Sequence, residues 1–474
     1  MRMNRRQFVA SGLTAALWAS VPSRLLAEAG KPPLAGAGKT QCLPWSNWSG
    51  YLKSNPAQRI APHNVDHMAS VLKSATLPIR PVGSSHSFAP LVPTDGTLIS
   101  LRQFSEVKVL DAAQKTASAG AGVRLGVLGE ALHQIDQALP NMPDIDEQTL
   151  GGSIGTATHG TGIEYGAIHA YLKGLQLVTP AGEVLECSAS ENTDVFDAAR
   201  VSMGSLGVIT RFDLQNVAPY KLRRKTWVMP LDELLADVDA LVAENRNFEF
   251  YYIPYSDYAL VITTNETDAP LSPRTEDPDT EGLEQLKLAR DWLGWSEGLR
   301  RWVINFAMKD TPVEDNIDWA YRIYPSERSV RFNEMEYHLP REALAEALQR
   351  VRRTIEDNNL PIFFPIEARV VQGDDAWLSP FYKRDTCSIA VHRHYVDDPL
   401  DYFAQIEPIY QDYEGRPHWG KMNTLDQKTL ASRYPRWQDF KAIRESLDPQ
   451  GRLLNSYLKG CLLYTSDAAD DLFR

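Results

Sequence analysis

Fifteen residues in the first half of the chain set the tightest limit on its fold. The run from Gln148 to Gly162 holds five glycines (Gly151, Gly152, Gly155, Gly160 and Gly162), four threonines and one serine. So much glycine cannot make a core helix. It suits a loop wrapped closely around a ligand, with hydroxyls and backbone N–H groups as donors. The spacing is not the dinucleotide fingerprint, which needs a strand, three spaced glycines, a helix and a ribose-binding acid.

Two more elements of this kind flank it. Arg80-Pro81-Val82 reads as a short strand running into Gly83-Ser84-Ser85-His86-Ser87. Glycine and serine let a backbone approach an anion and present N–H groups to it. The imidazole of His86 would lie beside whatever binds there. Read alone, this segment is an ordinary polar turn. Farther on, Ser202-Met203-Gly204-Ser205-Leu206-Gly207 again places glycines ahead of a strand, Val208-Ile209-Thr210.

The surroundings predict an α+β fold. Residues 67–75 read as a helix with Asn64 as a possible cap. Residues 107–110 and 116–119 read as paired strands, 125–139 as an amphipathic helix, and 174–178 with 184–187 as a hairpin. A helix over 194–201 and a strand over 207–214 follow. Composition shifts near Ala218-Pro219. Beyond it, 267–280 reads as an exposed loop, 340–358 as a helix, and 361–371 and 386–396 as core strands. The boundaries are a first domain over 45–217 and a second α+β domain over 218–460. Formal net charge is −12, which leaves no basic excess for phosphates, so nucleic acid is not expected as a partner. The four cysteines, Cys42, Cys187, Cys387 and Cys461, fit neither a zinc pattern nor a disulfide framework. Cys187 and Cys387 read as small buried hydrophobes.

Three clusters mark the second domain. Glu367 and Arg369, two apart in a strand, face the same side. Ser388, Ala390, His392 and His394 share one face of the next strand, and Cys387, Ile389 and Val391 the other. Arg416-Pro417-His418-Trp419-Gly420-Lys421 is a loop with two cations and an indole. Taken alone, Glu367 and Arg369 make an ordinary ion pair, and His392 a hydrogen-bonded core histidine.

Together, the glycine elements resemble, over about residues 45–215, the FAD-binding domain of the vanillyl-alcohol oxidase superfamily. The resemblance implies a two-domain fold in which a substrate-binding cap follows the FAD domain. It implies FAD contacts at Gly83, Ser84, Ser85, Ser87, Ser153, Thr156, His159, Gly160, Gly162 and Val208, and a covalent bond from the His86 ring to the flavin 8α-methyl group. The Glu-x-Arg pair, Asp374-Asp375-Ala376-Trp377 and the His-Trp-Gly-Lys run resemble the C-terminal domain of aldonolactone and alditol oxidases, from about 361 to 457. That likeness implies that Glu367, Arg369 and Lys421 hold a small polyhydroxylated, sugar-derived substrate, with Thr149 as a further contact. It implies hydride transfer from a C–H group to flavin N5, with His392 or His394 receiving the hydroxyl proton. Oxidation at C2 of a gulono-, galactono- or arabinono-1,4-lactone is preferred. An alditol oxidase and a non-catalytic flavin or sugar binder are the alternatives. The electron acceptor is expected to be O2, because the same likeness puts Pro143 beside its approach; a respiratory acceptor is the other reading.

The ends of the chain read as additions to this body. Arg5-Arg6 ahead of an apolar stretch and Leu25-Leu26-Ala27 resembles a twin-arginine signal over 1–29. That implies a folded, cofactor-loaded protein handed to the twin-arginine export machinery and sent to a bacterial periplasm. Residues 461–474 read as the translation of a sequencing adapter, so Cys461 is expected to carry no native chemistry.

Overall fold

The computed structural model describes residues 43–274, 279–326 and 328–463, apart from the side chains of 279 and 280. The expected export signal lies outside them, as do 464–474 of the tail and 275–278 of the expected loop. The described residues belong to one compact unit.

Its first layer is a small parallel sheet in which Thr97–Ser100 lies between Gln58–Ile60 and Ile79–Val82. The neighbouring helix is Val65–Ser74. Asn64 caps it, its side chain accepting from the His67 backbone N–H at 2.8 Å, which satisfies one of the free donors of the first turn. A five-stranded antiparallel sheet follows in the spatial order Val107–Asp111, Thr116–Gly120, Val208–Gln215, Leu172–Val178, Val184–Ser188. The expected strand pair and hairpin are both present there. The helix expected over 125–139 stops at Gln134, because Asp136 takes a left-handed conformation (φ 59°) and Ala138 then pairs with Val217.

The glycine run itself departs from expectation. Leu150–Gly155 is a short helix rather than loop. Leu150 and Ile154, four apart, are fully buried and anchor it. Its glycines permit the close approach: a Cβ on Gly151 would sit 3.0 Å from the Ala121 carbonyl oxygen.

An eight-stranded sheet forms the second half. Its order is Glu314–Trp319, Lys221–Pro230, Tyr258–Glu266, Asn247–Tyr252, Ile366–Val371, Thr386–His394, Phe332–Pro340, Arg416–Pro417. The strand expected from 361 begins at Ile366, and the one expected to reach 396 ends at His394. The predicted 340–358 helix is a 3-10 turn, Arg341–Ala343, followed by Leu344–Asp357. Leu344, Ala347, Leu348, Val351 and Ile355 repeat at helical spacing and are buried. Phe332–Pro340, next to the short edge strand, was not anticipated. Eight of its nine residues are buried. Cys187 and Cys387 are buried as expected.

At the C-terminal end, the boundary expected at 460 falls inside a helix, Ser456–Leu462. Cys461 and Leu462 join the core in register with Leu458, so the last native-like contacts reach beyond Gly460.

Candidate active site

A large cleft runs between the glycine-rich elements and the eight-stranded sheet. The space within it, open solvent at the mouth included, comes to about 1460 Å3. One wall is Gly83, Ser84, Ser85, His86 and Ser87, where the strand Ile79–Val82 ends. The second carries Thr149, Gly151, Gly152, Ser153, Gly155, Thr156, Thr158 and His159, and the third Met203, Gly204, Gly207 and Ile209. Glycine is required at two of these places. A Cβ on Gly83 would lie 2.0 Å from Thr149 Oγ1 on the facing wall, and Gly204 has φ +65°.

Arg80 ties the walls together. Its buried guanidinium donates to the carbonyls of Leu91, Gly204, Met203 and Leu453. Hydrogen bonds from a charged group to four carbonyls hold the ends of distant segments in one place.

The donor set fits FAD. Serine and threonine hydroxyls line a trough that glycines keep open to the backbone. Ser84 Oγ is buried without a partner among the described residues, as suits a donor awaiting an anionic or carbonyl oxygen. His86 lies in the trough wall and stacks on Trp48 with ring centroids 5.7 Å apart. Burial pushes its pKa down to about 4, so the ring is neutral at pH 7 and keeps a free nitrogen lone pair.

The other side of the cleft is a network of buried charges. Arg369 donates from Nε to Glu249 at 2.7 Å, lies 3.1 Å from Asp144, and contacts Glu367. Tyr251 donates to Glu367 at 3.1 Å. Burial, with help from Asp144, Glu249 and Glu334, pushes Glu367 up to about 8 against the pull of Arg369. Lys421 Nζ contacts Glu334 and lies 3.8 Å from Glu336. Burial would lower its pKa, but these carboxylates outweigh it and raise it. Glu336 also accepts from His159 Nε2 at 2.8 Å and from Ser388. Burial opposes its charge, but His159 and Lys421 hold its pKa well below the usual carboxylate range. Asp144 bonds Arg328 as well as Arg369, linking the loop after Pro143 to the second domain. Such pairing is the condition under which buried charges persist.

The predicted residues distribute unevenly. Gly83, Ser84, Ser85, His86, Ser87, Thr149, Ser153, Thr156, His159, Arg369 and Lys421 all line the cleft. Gly160, Gly162 and Val208 do not. A Cβ on Gly160 would meet the Met142 carbonyl at 2.4 Å, and Gly162 is bridged to Val371, so both pack behind the wall. Val208 points to the far side of its strand, leaving its neighbours Gly207 and Ile209 at the cleft. Glu367 and His392 sit one contact behind the wall, Glu367 on Arg369 and His392 edge-on to Phe332 with ring centroids 4.7 Å apart, 3.6 Å from Glu334. Burial lowers the pKa of His392. Its side chain and those of Glu334 and Glu367 bring one ligand atom each within 4.8 Å of one another. His394 faces Phe363, Phe364 and Tyr395 instead, so His392 is the histidine beside the network. Of the His-Trp-Gly-Lys run, His418 and Lys421 reach the cleft. Trp419 donates to the Leu378 carbonyl at 2.7 Å, and Arg416 turns away to hold the carbonyls of Arg433, Pro380 and Tyr382.

Sequence reading missed Arg80, Asp144, Glu249, Arg328, Glu334 and Glu336. For the two glutamates the signal existed. Glu334, Glu336 and His338 alternate with Met335, Tyr337 and Leu339, a strand with a polar inner face. Arg80 and Asp144 carry no pattern of their own.

Comparison with known proteins agrees with this arrangement. An FAD-binding domain matches residues 56–188, and D-arabinono-1,4-lactone oxidase matches 212–461. The L-gulono-1,4-lactone dehydrogenase of Mycobacterium tuberculosis is 38% identical over 429 residues, covering 88% of this chain and 99% of that protein. The L-gulonolactone oxidase of Bos taurus is 32% identical, covering 88% and 97%. An alditol oxidase of Streptomyces is 27% identical, covering 88% and 98%. Among solved structures, cholesterol oxidase from B. sterolicum superposes with a TM-score of 0.72 at 14% identity, covering 91% of this chain and 100% of that one, which shows the shared two-domain fold. With its glycine-walled trough and the charged sheet face opposite, the chain belongs to the D-arabinono-1,4-lactone oxidase family, its FAD-binding domain preceding the region that defines the family.

Proposed function

We propose that the chain oxidises the C2 hydroxyl of an aldono-1,4-lactone of the gulono, galactono or arabinono type, with FAD in the cleft and O2 as the electron acceptor, giving H2O2. The observation that carries this is the meeting, in one cleft, of the FAD trough with Arg369 and Lys421, whose carboxylate partners Glu367 and Glu334 lie just behind the wall. Bound FAD supplies the two-electron acceptor. Arg369 and Lys421 present cations where negative charge grows during oxidation. Glu367, on Arg369, and neutral His392, 3.6 Å from Glu334, are our candidates to accept protons from substrate hydroxyls. Pro143 and Ile145 in the wall support an O2 approach beside the trough. The relatives include both oxidases and dehydrogenases, so the acceptor has its own test.

Anaerobic mixing with L-gulono-, L-galactono- and D-arabinono-1,4-lactone, with xylitol and sorbitol as controls, tests the substrate. Lactones should bleach the flavin fastest. A flavin that stays yellow with every lactone defeats the proposal. Air-saturated buffer should then restore colour within seconds and yield peroxide. Recovery over minutes, beside fast turnover with a dye, assigns a respiratory acceptor instead.

We also infer that FAD is bonded to His86. The neutral, stacked imidazole in the trough wall supports it. Denatured protein should remain yellow and carry one FAD by mass, and His86→Ala should release the flavin while the fold is kept. We further propose that Arg5 and Arg6 direct twin-arginine export: Arg5→Lys with Arg6→Lys should leave the protein in the cytoplasm, and unchanged export would refute it.

A further inference from the structure

In the eight-stranded sheet, Asn247–Tyr252 runs antiparallel to Ile366–Val371, with Glu249 opposite Arg369 and Tyr251 opposite Glu367. Residues two apart on a strand share a face, and so do residues directly opposed. Phe248, Phe250 and Tyr252 fill the core on the other face. Glu249, Tyr251, Glu367 and Arg369 therefore make a square on the cleft side. Arg369 lines the cleft, and the other three stand behind it.

The square is bonded throughout. Arg369 donates from Nε to Glu249 at 2.7 Å and contacts Glu367. The Tyr251 hydroxyl donates to Glu367 Oε1 at 3.1 Å and accepts from an Arg369 Nη at 3.5 Å. A phenol has one proton to give. With the guanidinium on its acceptor side, that proton is directed at Glu367.

Glu367 is faced by charge from several elements. Arg369 on its own strand favours its charged form, and Lys421 gains from it in return. Glu249 on the neighbouring strand, Glu334 on Phe332–Pro340 and Asp144 on the loop after Pro143 disfavour that form. His392 on Thr386–His394 closes the remaining side, and burial keeps it neutral. Tyr251 differs from all of these. Burial, with Glu249 and Glu367 adding to it, raises its pKa well above the ordinary phenol value, so it stays a neutral donor. A neutral O–H aimed at a carboxylate stabilises the ionised form without adding a charge to the network.

We propose that Tyr251 is a positioning residue that holds Glu367 in its carboxylate form, with Glu249 as the opposing corner that steadies Arg369. The role in turnover rests on the reading of Glu367 as a proton acceptor. Tyr251→Phe keeps the ring and removes the donor, so Glu367 should hold its proton more tightly. Tyr251→3-fluorotyrosine, a stronger donor of nearly the same shape, should act the other way. Glu249→Gln leaves an oxygen for Arg369 Nε but takes away a negative charge, and it too should loosen the proton.

The test follows the protonated-carboxyl infrared band that Glu367→Gln deletes, in FAD-loaded protein without substrate, as pH is raised. Its midpoint should rise by about one pH unit in Tyr251→Phe and fall in the other two variants. FAD content and melting temperature should stay near wild type, and 3-fluorotyrosine carries the test should Tyr251→Phe lose its flavin. The rise of kcat/KM with pH should move in step with the band. A midpoint unmoved by the changes at Tyr251, or moved the opposite way, overturns the proposal. A band that shifts as expected while kcat/KM does not follow upholds the role of Tyr251 and defeats the acceptor reading of Glu367 instead.

Discussion

At the scale of single residues, the site depends on how buried charges are matched. Arg369 has three carboxylates around it and Lys421 has two. Both cations are therefore held charged and in place before substrate arrives, which is the condition for electrostatic catalysis without reorganisation. Arg369→Ala and Lys421→Ala should each slow flavin reduction by on the order of a hundredfold, read by anaerobic stopped flow. Near-normal reduction in both would return these residues to a structural role. Glu367 gives a pH signature. With its pKa pushed up to about 8, it is largely protonated at neutral pH and becomes a full acceptor for hydroxyl protons only above that value. kcat/KM for lactone should therefore rise between about pH 7 and 9, and Glu367→Gln should flatten the rise. A wild-type profile that is flat or falling over that range would exclude the acceptor role.

At the scale of elements, what could be read from the sequence depended on periodicity. The helix Leu344–Asp357 and the hairpin Leu172–Val178 with Val184–Ser188 follow the simplest repeats and were legible. So was the shared face of Glu367 and Arg369. The strand Phe332–Pro340 was missed despite the alternation of its acids with apolar residues, because buried Glu334 and Glu336 look like surface acids in sequence. The helix at Leu150–Gly155 was also hidden: tertiary anchoring of Leu150 and Ile154 overrides the low helix propensity of its glycines. The walls of the trough came from glycine content, whereas the partners that hold them, Arg80 and Asp144, depend on contacts across more than a hundred residues of sequence. Coupling between two walls can be measured directly. Gly83→Ala should clash with Thr149 Oγ1 and lower FAD content severalfold, and Thr149→Gly in the same chain should restore part of it. Full FAD content in Gly83→Ala alone would show that the walls have slack.

At the scale of the whole molecule, the C-terminal residues of the described chain return to the strand that opens the trough. Ending the chain after Leu463 should leave the melting temperature and turnover unchanged. Ending it after Gly460 removes buried Cys461 and Leu462 and should cost about 2–4 kcal/mol, seen as a lower denaturation midpoint. Equal stability of the two truncations would place the native end at 460 after all. The residues just ahead of that helix are closer still to the cofactor site. The Ile79 N–H donates to the Arg452 carbonyl at 2.9 Å, Arg80 donates to the Leu453 carbonyl, and Asn455 donates to the carbonyls of Pro90 and Pro93. The strand that opens the trough is thus clamped by residues synthesised almost four hundred positions later. A ribosome still building the second domain holds a first domain whose cofactor trough has no latch. A chain ended ahead of Arg452 should therefore carry less FAD than the full chain, read as absorbance at about 450 nm per protein.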